Sequence, residues 1–451
     1  MEIFIELEST MRSLTKGSPL KVILLFAVPL FIGQLFQLFY SLVDTRIVGS
    51  ILGDSALAAV GSTTSLCDLL NNLLNGFTNG FAIIIATNFG AGNERLMKNA
   101  IAGTVILTIS IAVSISVIGT VAMPAVLSLL NVSPELYNDC ASYLRIIMAG
   151  LLAGALYNML ASILRAIGDS FTPLIFLVVS TVLNVILDYS FIRFLNTGVA
   201  GAAFATVLSQ LVSAVLCFIY MYKKYPKLHL SKDNFAQSKP LFGKMLSTGA
   251  SMSFMISFVH IGTVALQTSI NTFGTNIIVA HTAARKATSI FMLPFSVFGT
   301  TLATYCSQNY GAREYNRIKT GIKDTVLVTF VWCTGVIIIA NVLSPVIIKA
   351  ITATSEPEVI QTATTYLRIN TALYYVPAVI CLFRQSMQGF GDNITPLISS
   401  SMELIVKVLV AVLLAPAIGY TGIMISEPIA WVIMVIPLCL SMKNFFKKYI
   451  H

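Results

Sequence analysis

The chain has 451 residues, of which 56% are hydrophobic and only 10% charged, with a formal net charge of +9. Soluble domains carry about a quarter charged residues, so this composition leaves too little polar surface for a water-soluble fold. The basic excess invites a nucleic-acid partner, but its distribution excludes one, because Lys and Arg gather in the connections between long apolar stretches.

The first eight residues carry three Glu and no positive charge. The first apolar stretch is too long for the core of a secretory signal, so no cleavable leader is expected. Charge-poor stretches able to cross a bilayer lie at about 20–46, 55–88, 98–122, 139–162, 172–194 and 199–222. Six more lie at about 241–266, 276–308, 322–349, 362–388, 396–415 and 421–443. With the N-terminus placed inside, inner segments hold 20 of the 28 Lys and Arg, Arg165 and Arg384 among them. Outer connections hold three, Arg46, Arg193 and Lys349. That bias predicts both termini on the cytoplasmic side. Ser133-Pro134-Glu135 and Ser355-Glu356-Pro357-Glu358 read as N-caps of the fourth and tenth spans. Asn131-Val132-Ser133 matches a glycosylation pattern, but Pro134 follows it and it carries no weight.

The chain also reads twice. Asn88-Phe89-Gly90-Ala91 returns as Asn309-Tyr310-Gly311-Ala312, and Tyr143-Leu144-Arg145-Ile146 returns as Tyr366-Leu367-Arg368-Ile369. Gly168-Asp169 with Thr172-Pro173-Leu174-Ile175 returns as Gly391-Asp392 with Thr395-Pro396-Leu397-Ile398. The basic segment 223–244 separates the copies, giving a six-helix lobe over 1–222, a cytoplasmic linker over 223–244 and a second lobe over 245–451. Six spans per copy return the chain to its starting side, so the repeat is parallel, with its pseudo-twofold axis along the membrane normal. The fold class is therefore an all-α membrane protein of twelve transmembrane helices in two pseudo-symmetric lobes.

Ionisable residues within spans are costly and mark function by default. Asp44, Asp188 and Thr206 fall roughly 8–12 Å below the outer surface at 1.5 Å per residue. Asn184 shares a helix face with Asp188, four residues on. Two carboxylates, an amide and a hydroxyl at one level suit Na⁺ or a shared proton. The alternatives are an Asp44–Arg46 pair and an Asp188–Arg193 pair. Asp68, Asn71, Asn72 and Asn75 form a polar stripe that either lines a substrate cavity or joins helices. The second half lacks these acids; through the repeat, Asn184 maps to Lys407, Ser180 to Glu403 and Thr206 to Glu427. Glu403 and Lys407 are an i,i+4 pair, and the three are expected to form a charge network, either stabilising or coupling. His260, Arg285 and Lys286 also lie within spans. Pro29 breaks the first helix fifteen residues before Asp44 and is either a fixed kink or a hinge. The seven Cys include no CxxC pair, and no HExxH, Walker loop or hydrolase triad is present, so neither an enzyme nor a cofactor is expected.

These residues resemble the multidrug and toxic compound extrusion (MATE) family, most closely its DinF-like prokaryotic members. The carrying segments are Pro29, Tyr40-Ser41-Leu42-Val43-Asp44-Thr45, Asn88 to Gly92, Arg165 to Asp169, Asn184 to Asp188 and Gly198 to Ala203. The resemblance implies a V-shaped, two-lobed transporter in a bacterial plasma membrane, acting as a monomer. It would export cationic or amphipathic drugs in exchange for H⁺ or Na⁺, with Asp44, Asn184, Asp188 and Thr206 as the cation site. NorM-type members place a Glu on the seventh helix, where this sequence has none. A lipid-linked oligosaccharide flippase of the same superfamily is the alternative.

Overall fold

A computed structural model describes residues 13–129, 132–352 and 354–450. The acidic N-terminal residues 1–8 and Asn131 lie outside them. Among the described residues there is no strand. Among the same residues eleven helices are long and apolar enough to cross a membrane, and a bent pair raises the number to twelve.

The helices are α1 (Pro19–Leu52), α2 (Asp54–Gly90), α3 (Glu94–Leu129), α4 (Tyr137–Ala166), α5 (Phe171–Tyr189) and α6 (Gly198–Lys224). The short α7 (Lys232–Ser238) precedes α8 (Phe242–Ile270), α9 (Thr275–Gly311) and α10 (Tyr315–Thr352). Then follow α11 (Pro357–Thr371), α12 (Tyr375–Gly389), α13 (Ile394–Leu409), the short α14 (Ala415–Ile418) and α15 (Tyr420–Tyr449). Two compact units divide the chain: Leu25–Ser253, and Leu14–Leu24 together with the residues from Phe254 onward.

The helices outrun the expected spans. Hydropathy marks hydrocarbon depth, whereas backbone hydrogen bonding carries a helix on into water. Arg46, Arg165, Lys349 and Arg384, counted as connection residues from the sequence, therefore lie on helices, and Arg193 lies in a π-helical turn, Ser190–Phe194, that extends α5. The tenth span is not one helix. It breaks between α11 and α12 with a 56° bend. Pro377 has no N–H for the Leu373 carbonyl, which accepts instead from Val376 N at 2.9 Å. The expected caps also differ: α4 starts after Leu136 rather than Ser133, and α11 after Glu356 with Pro357 in its first turn, neither with a side-chain cap.

The repeat is written in the backbone. Positive φ occurs at Gly53 and Gly274 (84° and 89°), Gly92 and Arg313 (68° and 60°), Gly168 and Gly391 (90° and 94°), and Gly198 and Gly419 (62° and 67°). A π-helical turn follows both α5 and α13, at Ser190–Phe194 and Val410–Leu414. The Gly-Asp pairs show why the motif recurs. Gly168 takes the left-handed turn that ends α4. Asp169 Oδ1 then accepts from Phe171 N and Thr172 N at 3.1 and 2.9 Å, satisfying the open end of α5. Asp392 does the same for Ile394 N and Thr395 N at 3.2 and 3.0 Å. Each second carboxylate oxygen takes a hydroxyl from beyond, Tyr225 at 2.5 Å and Ser441 at 2.8 Å. Burial and the neighbouring Asp169 carboxylate hold the Tyr225 phenol well above its ordinary range, so it remains a donor.

Close helix contacts within unit 1 depend on small residues. A Cβ on Gly150 of α4 would collide with the Val207 side chain of α6. The basic stretch after α6 is ordered in part by polar bonds to α3: Asn234 donates to Asn99 Oδ1 at 2.9 Å, and Arg95 donates to Gln237 Oε1 at 2.9 Å. The core beneath includes Phe81, Ile85 and Leu164.

Candidate cation site

Within unit 1, α1, α5 and α6 bring the four sequence-chosen residues together. Asp188 is completely buried and Asn184 nearly so, although α5 is mostly apolar. Asn184 organises the cluster. With its amide nitrogen turned toward Asp188, it donates to Asp188 Oδ2 at 2.7 Å and to Tyr40 Oη at 3.1 Å, and its oxygen accepts from Thr206 N at 3.1 Å. Thr206 Oγ1 lies 3.4 Å from the same amide and donates to Ala202 O at 3.0 Å. The Asp44 and Asp188 side chains are within hydrogen-bonding reach of each other. Two ionised carboxylates have no hydrogen between them, so the contact calls for a proton or a cation. One oxygen of each, Asp44 Oδ1 and Asp188 Oδ1, is buried with no hydrogen-bond partner among the described residues. Buried acceptors left in this way are costly, and a small monovalent ion or a proton would satisfy both. Among the described residues no group of three or more His, Cys, Asp or Glu could hold a metal; the side chains gathered here are two carboxylates, the Asn184 amide and the Tyr40 and Thr206 hydroxyls.

Tyr40 was not singled out from the sequence. It sits one turn before Asp44, and only the fold shows that its hydroxyl faces Asn184. The other unit 1 candidates lie on α2, where Asp68 is exposed and Asn71, Asn72 and Asn75 are half-buried. Pro29 lies inside α1, four residues past the point, at Leu25, where the chain passes into unit 1.

Unit 2 has a different construction. Lys407 Nζ lies 2.9 Å from Glu403 Oε1 and 3.8 Å from Glu427 Oε1, with Thr263 Oγ1 at 3.5 Å. Gly262 leaves room for the lysine stem, since a Cβ there would stand 2.9 Å from Lys407 Cδ. Two arginines complete the network. Arg285 of α9 pairs with Glu427, and Arg384 of α12 reaches Glu403 at 3.5 Å. Arg384, assigned to a cytoplasmic connection from the sequence, is 7% exposed. Its signal was a charged residue in the last turns of an apolar run, which hydropathy alone assigns to a loop. His281 is buried and bonded to Tyr420 Oη at 3.0 Å, whereas His260, noted from the sequence, is exposed.

The doubled backbone has a counterpart in the comparison with known proteins. The MatE family model matches residues 29–190 and 251–413, two segments that start and end 222 to 223 residues apart. The chain belongs to the MatE family. A probable multidrug resistance protein, YoeA of Bacillus subtilis, is 27% identical over 86% of this MatE chain and 84% of its own length. A protein of Shewanella oneidensis named as an FAD transporter is 22% identical over 92% of each. A solved multidrug resistance MATE transporter of the MOP superfamily, in an outward-facing conformation, superposes with a TM-score of 0.90 at 23% identity, covering 98% of this chain and all of that one. The MatE chain is thus a multi-span membrane protein of a family whose curated relatives include probable multidrug resistance proteins of bacteria.

Proposed function

We propose that this MatE chain exports amphipathic organic cations from the bacterial cytoplasm across the plasma membrane, in exchange for H⁺ or Na⁺ entering at Asp44 and Asp188. The single observation that carries this reading is the pair of buried carboxylate oxygens without partners, one on α1 and one on α5. Filling that pair would favour one conformation of the chain, and cargo would favour another. The acids of the first half suit cationic cargo. One monovalent charge moving down ~150 mV releases roughly 3.5 kcal/mol, enough for a cargo gradient of a few hundredfold. Positive-inside counting supports termini in the cytoplasm.

The test is dye efflux from proteoliposomes driven in turn by a Na⁺ gradient and by a pH gradient. One gradient should drive efflux and name the ion. Asp188→Asn should abolish the driven flux while the protein still inserts and unfolds cooperatively. Undiminished flux in that variant would refute the site.

A further inference from the structure

We propose that Lys407 is a tethered cation: in unit 2 its ammonium takes the place that the coupling ion takes in unit 1, so that the chain exchanges its ion at one site only. This deepens the efflux reading above, on which it rests for the ion in unit 1.

The repeat sets the two places in correspondence. Gly168 and Gly391, ahead of α5 and α13, lie 223 residues apart, and Gly198 and Gly419, ahead of α6 and α15, lie 221 apart. Carried along those helices, the spacings pair Asn184 with Lys407 and Thr206 with Glu427. The contacts follow the pairing. In unit 1, Asn184 of α5 bridges to α1 through Tyr40 and to α6 through Thr206. In unit 2, Lys407 of α13 bridges to α8 through Thr263 Oγ1 at 3.5 Å and to α15 through Glu427 Oε1 at 3.8 Å. Tyr143 of α4 stands near Asp44 and Asp188, and its repeat partner Tyr366 of α11 is within reach of Arg285.

What differs is the charge. Among the described residues neither Asp44 nor Asp188 forms an ion pair, so the pairs with Arg46 and Arg193 that the sequence allowed are not made. In unit 2 the acids are Glu403 and Glu427, each 7% exposed, and the Lys407 ammonium, 2% exposed, touches both. An ammonium is a compact monovalent charge, here fixed to the backbone by its stem. The packing is shaped to that stem, since Gly262 lacks the Cβ that would crowd Lys407 Cδ. Arg285 on Glu427 and Arg384 on Glu403 complete the network, so three cations meet two acids. A buried cluster that already carries net positive charge repels a further cation. Ion binding in unit 1 is therefore not matched in unit 2, and one ion rather than two moves in each cycle.

The experiment reads the unfolding temperature of the purified full-length protein in detergent. The background is Asp44→Asn with Asp188→Asn, which removes the acids of unit 1. Exchanging Na⁺ for N-methylglucamine at fixed ionic strength, or adding propylammonium, should leave that temperature unchanged. Adding Lys407→Ala removes Cγ, Cδ, Cε and Nζ, the atoms that propylammonium resupplies. The temperature should fall, and propylammonium should restore most of the loss saturably. Propanol, of the same shape without the charge, should bind about tenfold more weakly. Glu403→Gln, added in turn, should weaken propylammonium about tenfold. Rescue by propanol equal to that by propylammonium, or rescue untouched by Glu403→Gln, overturns the tether. So does a Na⁺-dependent rise in the background itself, which would put an exchangeable ion in unit 2; that comparison decides even where Lys407→Ala fails to fold. Every one of these readings is taken on unit 2, whereas driven efflux that follows neither gradient in wild type would overturn the efflux reading alone.

Discussion

Asn184 sets the geometry of the unit 1 cluster, because one amide bonds Asp188, Tyr40 and the Thr206 backbone at once. Replacing it with leucine removes a donor to a carboxylate, a bond of about 1.5–3 kcal/mol. Asn184→Leu should therefore weaken cation binding roughly tenfold or more, read as loss of the cation-dependent rise in unfolding temperature. Tyr40→Phe removes only a neutral hydroxyl and should weaken it less. A larger effect in Tyr40→Phe would mean that Asn184 is not the organiser. Asp44, Asn184, Asp188 and Thr206 were legible in the sequence because a polar side chain in an apolar helix stands out and its depth can be counted. Tyr40 was not, since a tyrosine in a membrane helix has many ordinary uses and only the tertiary fold turns its hydroxyl inward. At the same scale, Asp169→Ala and Asp392→Ala each remove the acceptor for two backbone N–H groups at a helix start. Each should cost about 0.5–2 kcal/mol, and Asp169→Ala should cost more if the bond from Tyr225 adds to the cap.

At the level of elements, the i,i+4 spacing of Glu403 and Lys407 was readable, and the structure holds the pair at 2.9 Å. The arginines that join them come from α9 and α12, and no local pattern links those stretches to α13. Lys407→Met strands Glu403 with only the longer Arg384 contact and should cost about 3–5 kcal/mol of stability. Adding Glu403→Gln should restore a large part of that loss. If the double variant is as unstable as the sum of the single ones, the pair is not coupled. The α4–α6 contact rests on Gly150. Gly150→Leu should destabilise by at least the 1–3 kcal/mol typical of overpacking, measured as a lower unfolding temperature in detergent. The break between α11 and α12 shows the limit of hydropathy, which reads apolar content but not helix direction. There Pro377 has no N–H for the Leu373 carbonyl, and turn bonds such as Val376 N to Leu373 O take the place of the helical ladder.

For the molecule as a whole, the first helix offers a test of motion. Pro29 leaves the Leu25 carbonyl without its helical donor, and Leu25 is where the chain enters unit 1. If this is a hinge, Pro29→Ala should leave the fold as stable as before or more so, because an interior proline costs a helix ~3 kcal/mol, and should slow driven efflux severalfold. Equal stability with unchanged efflux would make Pro29 an inert kink. Hinge residues of this kind change turnover without touching the chemistry.

The amino-acid order alone determined that this chain lives in a membrane, that it is all helix, and that it consists of one unit used twice. These follow from local quantities: apolar run length, the sign of loop charge, and recurring Gly and Asp at positions whose backbone needs them. The same order also marked Asp44, Asn184, Asp188 and Thr206 as polar side chains set in apolar helices. Tertiary structure alone decided which of these meet. It set Tyr40 against Asn184 and drew Arg285 and Arg384 onto the glutamates. Contact between distant helices depends on crossing angle and rotation, which are set by packing over the whole unit rather than by any segment's own sequence.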